Sequence, residues 1–282
     1  MNDKLKNLIV RTISGIGLLV VVFGGILWSD WSLLALLALM IVGGMVEFYG
    51  LAEKRGLAPQ RVLGLVAGLL LLVLNFALVS THIEVFGEAM RPFGVGLAML
   101  LLLFPLMFIC ELYRKQENPL ANIAVTIASV FYVALPLSML LYVPIIGREV
   151  WNGWALIGYV ALVWSNDVFA YLSGMAFGRH RLFERLSPKK SWEGFFGGLI
   201  GAVVAAAVVA RLMGDNLYVW CGLAVGVVIT AVLGDLVESM FKRAADVKDS
   251  GNLIPGHGGV LDRFDAMLLS APFAVVYLLF VC

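Results

Sequence analysis

RVLGLVAGLLLLVLNFALVS, residues 61–80, contains no ionisable group after Arg61. A helix of about 20 residues crosses a hydrocarbon core of ~30 Å. Inside that core every backbone polar group must be satisfied within the segment, so this stretch reads as a transmembrane helix. Eight more runs read the same way, at approximately 10–28, 32–52, 93–112, 119–143, 153–177, 193–213, 217–241 and 264–282. The whole chain agrees, with 61% hydrophobic and 14% charged residues over 282 positions, far from an ordinary soluble domain. The expected fold is all-α, a polytopic integral membrane bundle of nine transmembrane helices.

Lys and Arg accumulate on cytoplasmic loops. With the N-terminus cytoplasmic, the inside segments carry Lys4, Lys6 and Arg11, then Lys54, Arg55 and Arg61, then Arg114 and Lys115. Arg179, Arg181, Arg185, Lys189 and Lys190 follow, and last Lys242, Arg243, Lys248 and Arg263. Only Arg91, Arg148 and Arg211 fall on the other side. The C-terminus is then expected opposite the N-terminus. The first run is read as a span rather than a cleaved leader, because it is long for a leader and no small-x-small motif precedes Trp28. Cys110, Cys221 and Cys282 are odd in number and scattered, which points to neither a disulfide framework nor a zinc site.

Residues 1–282 read as a single membrane domain. Residues 1–150 hold mainly scaffold spans, nearly free of ionisable groups away from their ends. Residues 151–282 carry Asp167, Glu193, Asp235 and Glu238 within or beside spans. Glycine pairs at Gly64 and Gly68, Gly174 and Gly178, Gly194 and Gly198, and Gly197 and Gly201 read as close helix contacts. Pro105 and Pro136 fall inside spans and are expected to kink them.

Chemistry concentrates in SMFKRAADVKDSGNLIPGHGGVLDRFD, residues 239–265, where Asp246, Asp249, Asp262 and Asp265 stand among Lys242, Arg243, Lys248 and Arg263. Carboxylates that can hold a divalent cation and cations that can hold phosphate are the equipment of phosphoryl transfer. Just upstream, Asp235, Glu238, Ser239 and Lys242 are spaced to share one helix face. Glu238 and Lys242 alone would read as an ordinary i,i+4 pair. That pair does not account for Asp235, a carboxylate still within an apolar run and a functional candidate by default. Asp167, in VWSNDVFAYLSG (163–174), poses the same question, with helix-to-helix hydrogen bonding as the simpler answer.

The basic loop 179–191 ends in Ser-Pro-Lys-Lys-Ser. Ser191 is a natural N-cap for the seventh span, with Glu193 in its first turn. Topology alone explains most of these cations. Lys189 and Lys190, set against a helix N-terminus, are also placed to meet an anion. The connection from Lys242 to Arg263 has no helical or strand period, and its glycines, Gly258 and Gly259 among them, can bring backbone amides close to a ligand. His257 lies between glycines and reads either as a structural hydrogen-bonder or as a catalytic group. Asp262 and Asp265 at the start of the last span suit Mg²⁺, which binds through one or two protein carboxylates plus substrate phosphates.

The pattern Ser239-x-x-Lys242-Arg243-x4-Lys248-Asp249, continued by Ile254-Pro255-x-His257-Gly258-Gly259-x-x-Asp262-Arg263-x-Asp265, resembles the signature of the phosphatidate cytidylyltransferases. The run from Ser187 to Gly194 and the Ser165-Asn166-Asp167 triplet look like the same family, so the resemblance covers the second half of the chain. It implies transfer of CMP from CTP to phosphatidic acid at the cytoplasmic face of a bacterial-type inner membrane, among membrane lipids, with no nucleic acid involved. A homodimer would also be in keeping with it. It further implies a Mg²⁺ requirement and a second, monovalent cation such as K⁺. Metal binding is carried onto Asp235 and Asp262, with Asp167, Asp249 and Asp265 as weaker candidates. Lys242, Arg243, Lys248 and Arg263 would hold phosphate, alongside catalytic roles for Asp249 and His257. Lys189, Lys190, Ser191, Ser239, Gly258 and Gly259 would bind substrate. Two rivals share the gross features. A CTP-dependent lipid or polyprenol kinase would transfer the γ-phosphate instead. A cation-coupled transporter would use the intramembrane carboxylates but has little use for a basic, glycine-rich loop.

Overall fold

The computed structural model describes residues 3–79, 86–256 and 258–282, with side chains described from Thr12 onward and, after the first gap, from Phe93. Its elements are α1 (Asp3–Leu27), α2 (Asp30–Glu53), α3 (Arg61–Val79), α4 (Phe86–Arg114), α5 (Pro119–Ser129), a π-helical turn (Val130–Ala134) and α6 (Leu135–Met139). There follow α7 (Gly153–Phe177), strands β1 (Arg181–Phe183) and β2 (Ser187–Ser191), α8 (Trp192–Met213), α9 (Leu217–Ala244) and α10 (Leu261–Val281). Among the described residues, eight helical stretches are long and apolar enough to cross a membrane, and α1 adds the shorter apolar stretch Thr12–Leu27. The chain is therefore a polytopic helical membrane protein.

Two local features differ from the sequence reading. The basic loop after α7 folds as an antiparallel ribbon that pairs Arg181 with Ser191 and Phe183 with Ser187. The register slips between those pairs, where Pro188 has no N–H to give a ladder. The irregular connection is also shorter than expected and covers 245–260. Lys242 and Arg243 extend α9, where cations suit the C-terminal end of the helix dipole, and Asp262 lies in the first turn of α10, where an anion suits the N-terminal end.

The chain divides into two compact units. One contains residues up to Leu141 together with Ala244–Arg263, and the other contains Tyr142–Arg243 and Phe264–Cys282. In the first, Tyr49 hydrogen-bonds Ser129 at 2.6 Å in the core. Gly64 and Gly68 let α3 close onto Tyr49 and Met45; a Cβ at Gly68 would meet Met45 Sδ at 2.7 Å. Glu111 is buried, yet it accepts hydrogen bonds from Gln60 Nε2 at 2.7 Å, Asn122 Nδ2 at 2.8 Å and Arg114 Nη1 at 2.7 Å. Three donors offset the desolvation of one charge. Helix α4 continues through Pro105. At Pro136 the expected irregularity takes the form of the preceding π-turn, where Leu135 N–H reaches back to Val130 O.

In the second unit, α7 and α8 meet through glycines. Gly194 lies against the carbonyl of Ala170, Gly198 against Asn166, Gly197 against Ser173 and Gly201 against the Phe169 ring. Helices α9 and α10 run antiparallel, with Gly222 beneath the Tyr277 hydroxyl, Gly226 beneath the Phe273 ring and Gly234 against the Asp265 carbonyl. Such notches supply close packing, the main source of helix association in lipid. Tyr159 of α7 reaches Ser270 of α10 at 2.6 Å and links the two pairs.

Candidate functional site

Three helices of the second unit bring one aspartate each into a common neighbourhood. Asp235 of α9 acts as a like charge on both Asp167 of α7 and Asp265 of α10, while Lys190 of β2 and Lys242 of α9 act in the opposite sense. Lys190 Nζ stands 2.6 Å from Asp235 Oδ2, and Ser239 Oγ stands 3.3 Å from Asp235 Oδ1. One turn further on, Glu238 is fully buried and pairs with Lys242. The ordinary i,i+4 reading of that pair is thus the observed contact. Burial makes it costlier to break than its surface counterpart.

The ribbon decides which of the two lysines meets this cluster. Neighbouring residues on a strand point to opposite faces. Lys190 is accordingly half-buried against Asp235, and Lys189 is exposed. The ribbon is fixed at its base by Glu193, whose carboxylate accepts from the backbone N–H groups of Arg179 and His180 and lies 2.6 Å from His180 Nδ1. Ser191 is the N-cap of α8 and accepts from Gly194 N at 3.1 Å, as its place in the sequence suggests. Ser191→Ala is expected to destabilise the protein by about 1 kcal/mol, measured as a lower thermal midpoint in detergent. Asn166, beside Asp167, is buried with its Oδ1 against Gly198, and its Nδ2 lies 3.4 Å from Asp167 Oδ1.

In the first unit the connecting loop is organised around two carboxylates. Asp262 Oδ2 accepts from Ser250 N, Ser250 Oγ and Gly259 N, each at 2.9 Å. Glu47, on α2, accepts from Val260 N at 2.9 Å and Leu261 N at 2.8 Å, and lies 3.0 Å from Ser250 Oγ, whose single proton it shares with Asp262. The amides at the start of α10 therefore already face carboxylates of this chain. Gly258 has φ +86, a conformation that favours glycine, and Gly256 has φ +76. Lys248, Asp249 and Arg263 are exposed, as is Arg243 at the end of α9 in the second unit. His257 lies outside the described residues.

Glu47 escaped the sequence reading, which treated the early spans as nearly free of ionisable groups. Its signal was a carboxylate beside an apolar run, MVEFYG (45–50), with Gly43 and Gly44 just ahead. Its partners lie more than two hundred residues away, so no local pattern announces them.

Among the described residues no group of three His, Cys, Asp or Glu side chains forms a ready metal cage. Asp167, Asp235 and Asp265 offer hard carboxylate oxygens whose charges act on one another, with Lys190 in ion-pair contact with Asp235. That suits a hard divalent ion held by one or two carboxylates with substrate oxygens completing the shell. The residues present fit such an ion.

The cytidylyltransferase family model matches residues 9–281. The chain is 48% identical over 141 residues to the phosphatidate cytidylyltransferase of Haemophilus influenzae, a match covering 48% of this chain and 49% of that protein. It is 33% identical over 186 residues to the protein of that name from Rickettsia bellii, covering 62% of this chain and 76% of the relative. The chloroplastic phosphatidate cytidylyltransferase 5 of Arabidopsis thaliana is 31% identical over 294 residues, covering 94% of this chain and 70% of the plant protein. The matched stretch thus spans about half the Haemophilus relative and larger shares of the other two.

Proposed function

The chain belongs to the cytidylyltransferase family, and from that premise we propose that it transfers CMP from CTP to phosphatidic acid, giving CDP-diacylglycerol and pyrophosphate. A phosphate oxygen of phosphatidic acid attacks the α-phosphorus of CTP. A new P–O bond forms, the bond from the α-phosphorus to the bridging oxygen breaks, and pyrophosphate leaves with the electron pair. Since the attacking phosphate is already ionised, no protein nucleophile is needed. The protein's task is to bring two anions together and offset their charge.

The observation that carries this reading is the Asp167, Asp235 and Asp265 neighbourhood with Lys190 on Asp235. It combines oxygen ligands for a cation, carried by three helices, with a basic group for phosphate on the ribbon. Cytidylyl transfer from CTP uses a divalent metal in general; we assign Mg²⁺ here, with K⁺ as a second, monovalent cation. In the second unit Asp235 would hold metal with Asp167 or Asp265, and in the first unit Asp262 offers a further carboxylate. When bound, the divalent ion neutralises charge on the triphosphate. In the second unit Lys190, Lys242 and Arg243 supply the protein's own positive charge to phosphate, and in the first unit Lys248 and Arg263 are the basic groups nearest in sequence to Asp262. Ser191 and Ser239 act by fixing the start of α8 and the Asp235 carboxylate. Gly258 and Gly259 shape the loop beside Asp262.

From the distribution of basic residues we infer that this end of the protein faces the cytoplasm, where CTP would arrive from water and phosphatidic acid from the bilayer. The glycine faces Gly64 and Gly68, and Gly194, Gly198 and Gly201, are filled by contacts within the chain. A homodimer would therefore use other surfaces.

The test is incubation of the detergent-purified protein with phosphatidic acid, Mg²⁺ and CTP labelled at the α-phosphate. Label in the lipid phase is expected. Label appearing in lipid only from γ-labelled CTP would replace this reading with a lipid kinase, and an unlabelled lipid in both experiments would favour transport. Lys190→Ala, at the lysine that the ribbon turns to Asp235, is expected to raise the KM for CTP about tenfold, the size of one charge-assisted contact. An unchanged KM would leave Lys190 as a topology signal alone.

A further inference from the structure

The loop 245–260 is held from two sides by carboxylates that both reach Ser250. Asp262 holds it from α10, through Ser250 N, Ser250 Oγ and Gly259 N. Glu47 holds it from α2, through the amides of Val260 and Leu261 at its end, and shares the single Ser250 Oγ proton with Asp262. Glu47 therefore closes the segment from 250 to 261 across its base. The fit is tight. A Cβ at Gly259 would overlap Glu47 Oε2 and Ser250 Oγ, and one at Gly251 would overlap Glu47 Oε1. Glu47 is only 9% exposed, so its carboxylate is shielded from water by the loop it holds.

The residue type matters as much as the position. Val260 N, Leu261 N and Ser250 Oγ approach both oxygens of Glu47, and the two amides can only donate. An ionised carboxylate accepts on both oxygens, whereas a glutamine would turn an NH₂ toward one of the amides, donor against donor. The same segment carries Lys248 and Asp249 next to Ser250, and its end fixes where Asp262 begins α10.

We propose that Glu47 is a positioning residue for the transfer reaction: it touches no substrate, and acts by holding the 250–261 segment so that Asp262, Lys248 and Asp249 keep their places. The proposal rests on the function proposed above. Its site is a span that otherwise reads as scaffold, so on this proposal α2 contributes to the chemistry through Glu47.

The experiment compares the full-length wild type, Glu47→Gln and Ser250→Ala, all detergent-purified. It reads amide hydrogen exchange over 248–261, the thermal midpoint, and kcat and KM for CTP with α-labelled nucleotide. Glu47→Gln is expected to speed exchange over 248–261 and to lower kcat about tenfold or more, with KM for CTP changing less and distant spans exchanging as in wild type. Ser250→Ala, a smaller change, should move both quantities in the same direction, and it decides the matter if Glu47→Gln fails to fold. Faster loop exchange with kcat within about twofold of wild type would make Glu47 purely structural and overturn the proposal. Unchanged exchange in both variants would overturn it too, by showing that Glu47 does not hold the loop. A wild type that leaves lipid unlabelled would overturn the transfer reading itself, and the exchange comparison would still decide separately whether Glu47 orders the loop.

Discussion

Asp235→Asn should lower turnover about 10²- to 10³-fold, the usual effect of removing one preorganised electrostatic group from an active site, while leaving the protein at least as stable as before. The substitution keeps the side chain's shape and an oxygen that can accept from Ser239, and removes only the charge. Lys190 then loses its counter-ion, and a cation proposed to bind here would lose the charge of a carboxylate ligand. Stability moves the other way, because Asp235 repels both Asp167 and Asp265, and a neutral amide relieves that crowding. The Lys190 pair is partly solvated, with side-chain exposures of 24% and 38%, so its loss costs little. A kcat measurement with phosphatidic acid and CTP, paired with a thermal midpoint, checks both halves. Turnover near wild type would remove Asp235 from the site. A lower midpoint with lost activity would mean that Asp235 is needed for folding.

Gly234→Ala is expected to cost about 100-fold in kcat, although the added group is a single methyl. A Cβ at Gly234 would sit 2.6 Å from the carbonyl oxygen of Asp265 and 3.4 Å from Ala266 Cα. Backbone atoms cannot rotate away as a side chain can, so α9 and α10 must part at the level of Asp235 and Asp265. A misplacement approaching 1 Å is enough for a loss of that size. The accompanying stability cost, about 1–3 kcal/mol, is that of overpacking. Gly50→Ala serves as the control, since nothing lies within 4 Å of a Cβ there and alanine favours the helix. Equal activity in Gly234→Ala and Gly50→Ala would show that the spacing of α9 and α10 does not set the geometry of the carboxylates.

The spans were legible because run length and charge placement are properties of contiguous sequence. So was the Ser191 cap, whose acceptor role extends three residues. The ribbon between α7 and α8 was not: strands of three and five residues with a proline carry too short a period to read. At the site, Asp167 and Asp235 announced themselves by their cost in apolar runs, and Asp265 by its place with Asp262 at the start of the last span. Their mutual approach and the choice of Lys190 over Lys189 depend on how three helices and a strand meet, which no single stretch encodes. Glu47 was hidden for the same reason, as was the notch formed by Gly222 and Gly226, where the spacing is readable but the facing Tyr277 and Phe273 are not.

The seating of Phe273 over Gly226 and of Tyr277 over Gly222 bears on how the site can admit a substrate. Two rings dropped into two glycine gaps act as a key in a slot. Sliding α10 along α9 by even one residue would lift both rings onto the side chains flanking the gaps. Sliding of α10 along α9 is thus closed as a route to opening, whereas the Lys190–Asp235 contact is partly solvated. Lys190 can let go of Asp235 without disturbing the helices behind it.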